Sequence, residues 1–248
     1  MSFFNKARPG NGSPANPQAS HPRAVHAATA SAVANMSHSS PVPGNAPRAG
    51  RLSNGLKEFL SQLDGIGRGH LLDLGPARQT TINFFIDRGF KVYTDDLLTT
   101  WKIFLEADEQ RKKELAPDAD RSEMTPAARA ERFLESTLQY PEGTFDAVLM
   151  WDTLDYLEND LMTRLAARLT SLVRDGGVVL AIFHARKPES FHRYHVLDAQ
   201  NLELIPAACP FVPQRVFQNR EISNLFSRYR SSKTFVGRDQ LREGLFVK

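Results

Sequence analysis

From Leu52 onward the chain switches between two hydrophobic periods. Leu52, Leu56, Phe59, Leu60 and Leu63 recur at helical spacing and predict an amphipathic helix capped by Ser53 or Asn54, with Gly65, Gly67 and Gly69 ending it. Leu71-Leu72-Asp73-Leu74 is nearly all apolar, the pattern of a central parallel strand covered on both faces. Gly75 follows as a tight turn. Thr80 is the expected cap of a helix that turns Ile82, Phe85 and Ile86 inward and stops at Gly89. Phe90 to Thr94 then reads as a second strand, closed by Asp95-Asp96. Together these segments predict a βαβ unit.

Between Leu98 and Phe145 lie 46 residues that read as two helices. The first starts with Trp101, Phe104 and Leu105, carries the i,i+4 pairs Asp108–Lys112 and Glu109–Lys113 on an exposed face, and is closed by Pro117. The second opens on a Thr125 cap with Pro126 at its first position and carries Ala127, Ala130, Phe133 and Leu134. Ala147 to Met150 and Val178 to Phe183 are buried strands, separated by a core helix with Leu161, Leu165, Leu169 and Leu172. Tyr194-His195-Val196 and Leu202 to Ile205 flank a turn at Asp198 to Asn201 and predict a hairpin over the ends of the strands, about residues 192–206. Glu221 to Tyr229 reads as a last helix, and Lys233 to Gly237 with Gly244 to Val247 as an antiparallel pair.

Composition changes this picture at one end. Residues 1–57 hold Lys6, Arg8, Arg23, Arg48, Arg51 and Lys57 and no acid, a charge of +6, whereas the other 191 residues carry −3. Residues 1–50 also hold seven of the fifteen prolines and little apolar surface, so they read as a disordered basic tail, leaving one domain over 51–248. The acidic balance of that domain, with no basic stripe, disfavours nucleic acid as partner. No apolar run approaches the roughly 18 residues of a membrane helix. The single cysteine, Cys209, excludes an intrachain disulfide and a cysteine-based zinc site, which suits a reducing compartment such as the cytoplasm. His192, Arg193 and His195 do not make a metal site, and no metal is expected.

The candidate chemistry gathers where the strands end. Open α/β sheets bind ligands beyond the carboxyl ends of their strands, where helix N-termini offer free N–H groups. Asp73, an acid in an apolar strand, stands at such an end beside Gly75. Asp95 or Asp96, roughly 20 residues beyond the glycine turn, occupies the position that accepts hydrogen bonds from ribose hydroxyls, and either can instead cap the next helix. Trp151-Asp152-Thr153-Leu154-Asp155-Tyr156 follows the next strand, and His184 ends the one after it. Each also has a plain structural role available: Trp151 and Leu154 as core, Asp152 as a cap, His184 as a hydrogen-bonding group.

Four landmarks in order resemble the class I S-adenosylmethionine-dependent methyltransferases. They are Leu72-Asp73-Leu74-Gly75, the Asp95-Asp96 acids, Phe145-Asp146-Ala147-Val148-Leu149-Met150, and Arg174-Asp175-Gly176-Gly177-Val178-Val179-Leu180. The first motif is glycine-poor, continuing Gly75-Pro76-Ala77-Arg78-Gln79. The resemblance implies a Rossmann-like α/β sandwich, a mainly parallel sheet with helices on both faces and a C-terminal antiparallel hairpin. It implies S-adenosyl-L-methionine as cofactor, held by Asp73, Gly75, Pro76, Ala77, Asp95, Asp96, Trp151 and Asp152. Trp151 would supply apolar and cation–π contact to the sulfonium. A third strand is expected just before Tyr140, where Leu134 to Leu138 make a poor strand, and Glu135 is the nearest candidate for an acid on the adenine.

Asp155, Tyr156 and His184 are the residues placed to orient a substrate or take a proton. The expectation is therefore methyl transfer to a small-molecule nucleophile whose identity the sequence does not carry. Its rival is a catalytically inactive protein of the same fold acting as a binding or regulatory module. An NAD-dependent oxidoreductase is disfavoured because G-x-G-x-x-G is missing. Nothing in the sequence sets an oligomeric state.

Overall fold

The computed structural model describes residues 50–114 and 122–248. The basic tail, apart from Gly50, and Pro117 lie outside them. In chain order the elements are β1 (Arg51–Leu52), α1 (Asn54–Leu63), β2 (Gly69–Asp73), α2 (Gln79–Ile86), β3 (Phe90–Thr94), α3 (Leu97–Glu114), α4 (Pro126–Ser136), β4 (Phe145–Trp151), α5 (Asn159–Leu172), β5 (Val173–His184), β6 (His192–Val196), β7 (Asn201–Pro206), α6 (Asn219–Leu225), β8 (Ser231–Val236) and β9 (Leu241–Val247).

Six strands form the main sheet in the order β3-β2-β4-β5-β9-β8. The first four run parallel, and β9 and β8 close the sheet antiparallel. This is the expected Rossmann-like sandwich with its C-terminal antiparallel pair. The chain leaves β2 for β3 on one side and returns to β4 on the other, so the winding reverses between β2 and β4. In open α/β sheets that reversal opens a crevice at the strands' carboxyl ends.

Side chains alternate across the pleat and separate two cores. Leu72, Val148, Val179, Phe183 and Phe246 face the side filled from α3, α4 and α5 by Trp101, Phe133, Leu165 and Leu169, and by Phe226 just after α6. Leu71, Ala147, Leu149, Leu180 and Leu245 face Leu56, Phe59 and Leu63 of α1 and Phe85 of α2. A small sheet, β1-β7-β6, joins this second side, and the Val196 N–H donates to Thr81 Oγ1 at 2.9 Å.

The local rules work where a cap decides. Ser53 accepts from the Leu56 N–H, and Thr125 from the Ala128 N–H. They err where tertiary neighbours decide. Arg78, not Thr80, is the N-cap of α2 and makes no side-chain cap bond, while Ile86 is exposed. α2 packs only one narrow face, through Thr81 and Phe85. Asp108 is not on an exposed face: it is buried against Arg132 of α4, and Lys112 pairs with Glu109 instead.

Among the described residues the expected third strand is absent. Leu134 to Ser136 finish α4, and Leu138 turns the chain in the left-handed region at φ 53°. β3 is thus the edge of the sheet on that side. The Phe145-Asp146 entry has a mechanical reason at the rim opposite the crevice. Asp146 accepts the His70 N–H at 2.6 Å and pairs with Arg174 at 2.5 Å, latching β4 to β2 and β5.

Candidate functional site

The switch point between β2 and β4 holds three groups in direct contact. Asp73 Oδ1 accepts the Gly75 N–H at 2.9 Å and the Trp151 Nε1–H at 2.6 Å. Gly75 has no Cβ, and one placed there would meet the indole at 2.8 Å. The indole therefore lies close against the glycine turn. It gets there because the β4–β5 register slips between Leu149 and Trp151, and Trp151 takes φ 53°. A bulky residue rarely adopts that conformation, and a bulge of this kind re-aims a side chain. The indole stacks on Tyr194 of β6, with ring centroids 6.1 Å apart. Burial pushes the Asp73 carboxyl up to about 6, with the two N–H bonds holding it from going further.

Beside this turn, β3 delivers two acids with different fates. Asp96 accepts from the Thr99 hydroxyl at 2.8 Å and pairs with Arg193 of β6 at 3.0 Å. It is a helix cap and an anchor for β6. Asp95 is half-buried, and its side-chain bond is a long one, 3.3 Å from the Thr100 hydroxyl. Burial raises its pKa, partly offset by that hydroxyl. Of the two, Asp95 has acceptor capacity to spare.

Two strands away, β4 and β5 bring Asp152, Asp155, Tyr156 and His184 together. Asp155 Oδ2 accepts both the His184 backbone N–H at 2.8 Å and ring Nδ1 at 2.7 Å. His184 Nε2 faces Asp152 Oδ2 at 3.9 Å, too far for a hydrogen bond. All four side chains are buried. Burial raises Asp152 to about 7, opposed by the charge on His184. Burial also raises Asp155, opposed by its bonds to His184. Burial lowers His184, but its bond to Asp155 and the charge of Asp152 outweigh that and leave it raised. Tyr156 is pushed well above the usual phenol range by burial and by Asp152, so it stays neutral.

The rim is roofed by residues the motifs do not reveal. Tyr194 covers Trp151, and Phe191 sits edge-on to Tyr156 at 5.2 Å. The Gln214 N–H donates to the Asp155 backbone carbonyl at 2.8 Å. The strand alternation of His192 to Val196 is the one sequence signal for Tyr194, since it sets Arg193 and Tyr194 on opposite faces. His195 is buried, and burial followed by the charge of Arg78 lowers it to about 4, which keeps it neutral.

The predicted site residues thus gather on one rim, Asp95 and Asp96 at the end of β3 and the others in two groups. Asp73, Gly75 and Trp151 meet at the turn, which Pro76 and Ala77 continue; Asp152, Asp155, Tyr156 and His184 meet beyond β4 and β5. Glu135 joins neither group. It is exposed on α4, in a groove shared with Arg164 and Arg168. Among the described residues no set of three His, Cys, Asp or Glu side chains is arranged to hold a metal ion, and no helix is long and apolar enough to cross a membrane.

No family model matches the sequence, and no curated protein matches it. Among solved structures, it is similar to 1,6-didemethyltoxoflavin-N1-methyltransferase of Burkholderia thailandensis, with bound 1,6-didemethyltoxoflavin and S-adenosylhomocysteine. Identity is 18% over 79% of this chain and 78% of that one, with a TM-score of 0.41. It is similar to the glycopeptide N-methyltransferase MtfA complexed with S-adenosyl-L-methionine, at 16% identity over 83% and 99% of the two chains and a TM-score of 0.38. An S-adenosylmethionine-dependent methyltransferase from Mesorhizobium loti is 14% identical over 77% and 96%, with a TM-score of 0.42. Likeness at this level says nothing about chemistry, and the fold assignment rests on the strand order itself.

Proposed function

We propose that the protein is an S-adenosylmethionine-dependent methyltransferase acting on a small-molecule nucleophile in the cytoplasm. The observation that carries this reading is the content of one rim at a topological switch point. It combines a glycine turn with a buried acid, an acid with spare acceptor capacity on the next strand, and a buried Asp–His pair beyond.

The residues fit the cofactor best at β3. Asp95 has capacity for ribose hydroxyls, while Asp96 positions Arg193 and holds β6 across the rim. The Asp73 to Ala77 turn would hold the amino-acid end, where the indole of Trp151 now lies against Gly75. Ligand entry there requires the indole to move, and Asp152 follows it at the strand end.

When bound, the cofactor supplies a methyl group already activated on a sulfonium. The chain's own share is alignment, exclusion of water and custody of a proton. Asp155 fixes the His184 ring and stabilises it when protonated, leaving Nε2 to take a proton. Neutral Tyr156 orients by hydrogen bonding. Phe191 and Tyr194 keep water from the buried groups.

The test is calorimetric titration with S-adenosylmethionine and S-adenosylhomocysteine. Saturable binding is expected, weakened about tenfold by Asp95→Ala, the loss of one or two hydrogen bonds to a charged group. Absence of binding of either ligand at about millimolar concentration would overturn the reading. The protein would then stand as an inactive binding or regulatory module, with Trp151 filling its glycine turn as the physical reason.

A further inference from the structure

We propose that the methyl acceptor is an amine, its nitrogen seated between Asp152 Oδ2 and His184 Nε2. The inference deepens the methyltransferase reading and rests on it. It starts from atoms that the fold leaves without partners. Asp152 Oδ2, Asp155 Oδ1 and the Tyr156 hydroxyl are buried and make no hydrogen bond, in side chains 3%, 0% and 2% exposed. Buried polar groups are nearly always paired, and each left unpaired costs about 1–3 kcal/mol. Three such atoms beside one histidine mark a place that a polar ligand completes.

The tautomer of His184 decides which ligand. Asp155 Oδ2 accepts two N–H groups from His184, one from the backbone and one from ring Nδ1. An ionised carboxylate only accepts, so Nδ1 carries the hydrogen and Nε2 of the neutral ring is a lone pair. That lone pair faces Asp152 Oδ2 across 3.9 Å. With Asp152 ionised and His184 neutral, two acceptors therefore face each other, and the one donor the site sets beside Asp152 is the Tyr156 hydroxyl.

An atom about 2.9 Å from both would see them roughly 85° apart, within reach of two N–H bonds on one nitrogen. A hydroxyl has one hydrogen and turns a lone pair toward whichever acceptor it does not serve. A carbonyl or carboxylate has none. A primary ammonium serves both and keeps a third N–H that the Tyr156 oxygen can accept while its own O–H turns to Asp152.

The chemistry balances with these groups. One N–H bond of the ammonium breaks and its proton passes to His184 Nε2, giving an imidazolium held by Asp155 and a neutral amine. With the cofactor bound, the freed nitrogen lone pair would form the new N–C bond as the carbon–sulfur bond broke, the sulfur keeping that electron pair. Arg193 acts on Asp152 and Arg242 on Asp155 by charge, so neither carboxylate sits in a purely negative field.

The experiment follows the imidazole signals of histidine-labelled protein by NMR, with His184→Gln assigning the resonance. The probes are methylamine and benzylamine against methanol and benzyl alcohol. The amines should shift the His184 signal saturably and at least about tenfold more tightly than the alcohols, and Asp152→Asn should weaken them by about tenfold or more. Equal or tighter alcohol binding, no shift by either amine up to about 100 mM, or unchanged amine affinity in Asp152→Asn overturns the inference. The wild-type arms do not depend on the variant folding.

Cofactor titration of the same samples separates the two readings. Cofactor binding without amine binding removes the amine and leaves methyl transfer standing. Amine binding without cofactor binding overturns methyl acceptance and leaves an amine site.

Discussion

The two halves of the rim handle buried polarity in opposite ways. Around β2 and β3 the chain satisfies itself: Asp73 takes two N–H groups, and Asp96 takes Thr99 and Arg193. Around β4 and β5 it does not, and Asp152, Asp155 and Tyr156 each keep an unpaired buried oxygen. The first half is closed by its own indole. The second is buried with polar atoms left unpaired at an energetic cost, which is how a site looks before its ligand arrives. The contrast separates a gate from a receptor on a single sheet edge.

The strongest way to break the contrast is to remove the group that organises the second half. Asp155→Ala leaves the His184 backbone N–H and Nδ1 without an acceptor, and should lower stability by about 3 kcal/mol in denaturant titration. Asp155→Asn, which keeps one acceptor, should lose less. A change below about 1 kcal/mol for the alanine variant would show that the pair does not organise the site.

Next in size is Asp152, whose effect carries a definite pH sign. Its folded pKa of about 7 lies above the ordinary carboxylate value, so the folded state holds its proton more tightly. Its contribution is therefore lost as pH rises from about 4 to about 7. His184, also raised, acts in the same direction above its ordinary value, and His195, lowered to about 4, acts in the opposite one. Asp152→Asn should match wild type near pH 4 and be more stable by about 1–2 kcal/mol at pH 8, measured by melting across that range. A variant less stable than wild type at pH 8 would mean that the carboxylate is paired in solution.

Trp151 tests the closed half. Trp151→Phe removes one N–H from Asp73 and should cost about 1 kcal/mol. In wild type, cofactor should change the Trp151 contribution to tryptophan fluorescence as the indole leaves Gly75, with Trp101 buried in the opposite core as the unchanged reference. An emission unchanged at saturating cofactor would show that the indole is a fixed wall.

The smallest effect is expected at Arg193→Ala. Its partly exposed pair with Asp96 is worth less than about 1 kcal/mol. Hydrogen exchange in β6 should nevertheless quicken, because that pair ties β6 to the start of α3. Unaltered exchange would place the hold on β6 elsewhere, at Thr81.

How much of this was legible along the chain depends on how local the cause is. Caps such as Ser53 and Thr125 are settled within four residues, and the paired cores follow from strand alternation, so both could be read directly. Ile86 and Asp108 could not, because each is placed by what packs, or fails to pack, from another element. Leu134 to Leu138 sits between these cases: weak strand propensity was visible, and the end of α4 used the residues instead.

The same division runs through the rim. Residue order alone determined that Asp73-Leu74-Gly75, Asp95-Asp96, Trp151 to Tyr156 and His184 end their strands, because hydrophobic period and glycine punctuation are local properties. Only the tertiary structure decided what each one does there. Asp73 finds its indole 78 residues away, and Asp155 its imidazole 29 residues away, across neighbouring strands. Hydrogen-bond partners at that separation are chosen by sheet order and register, and burial then sets the charge each carboxyl can carry.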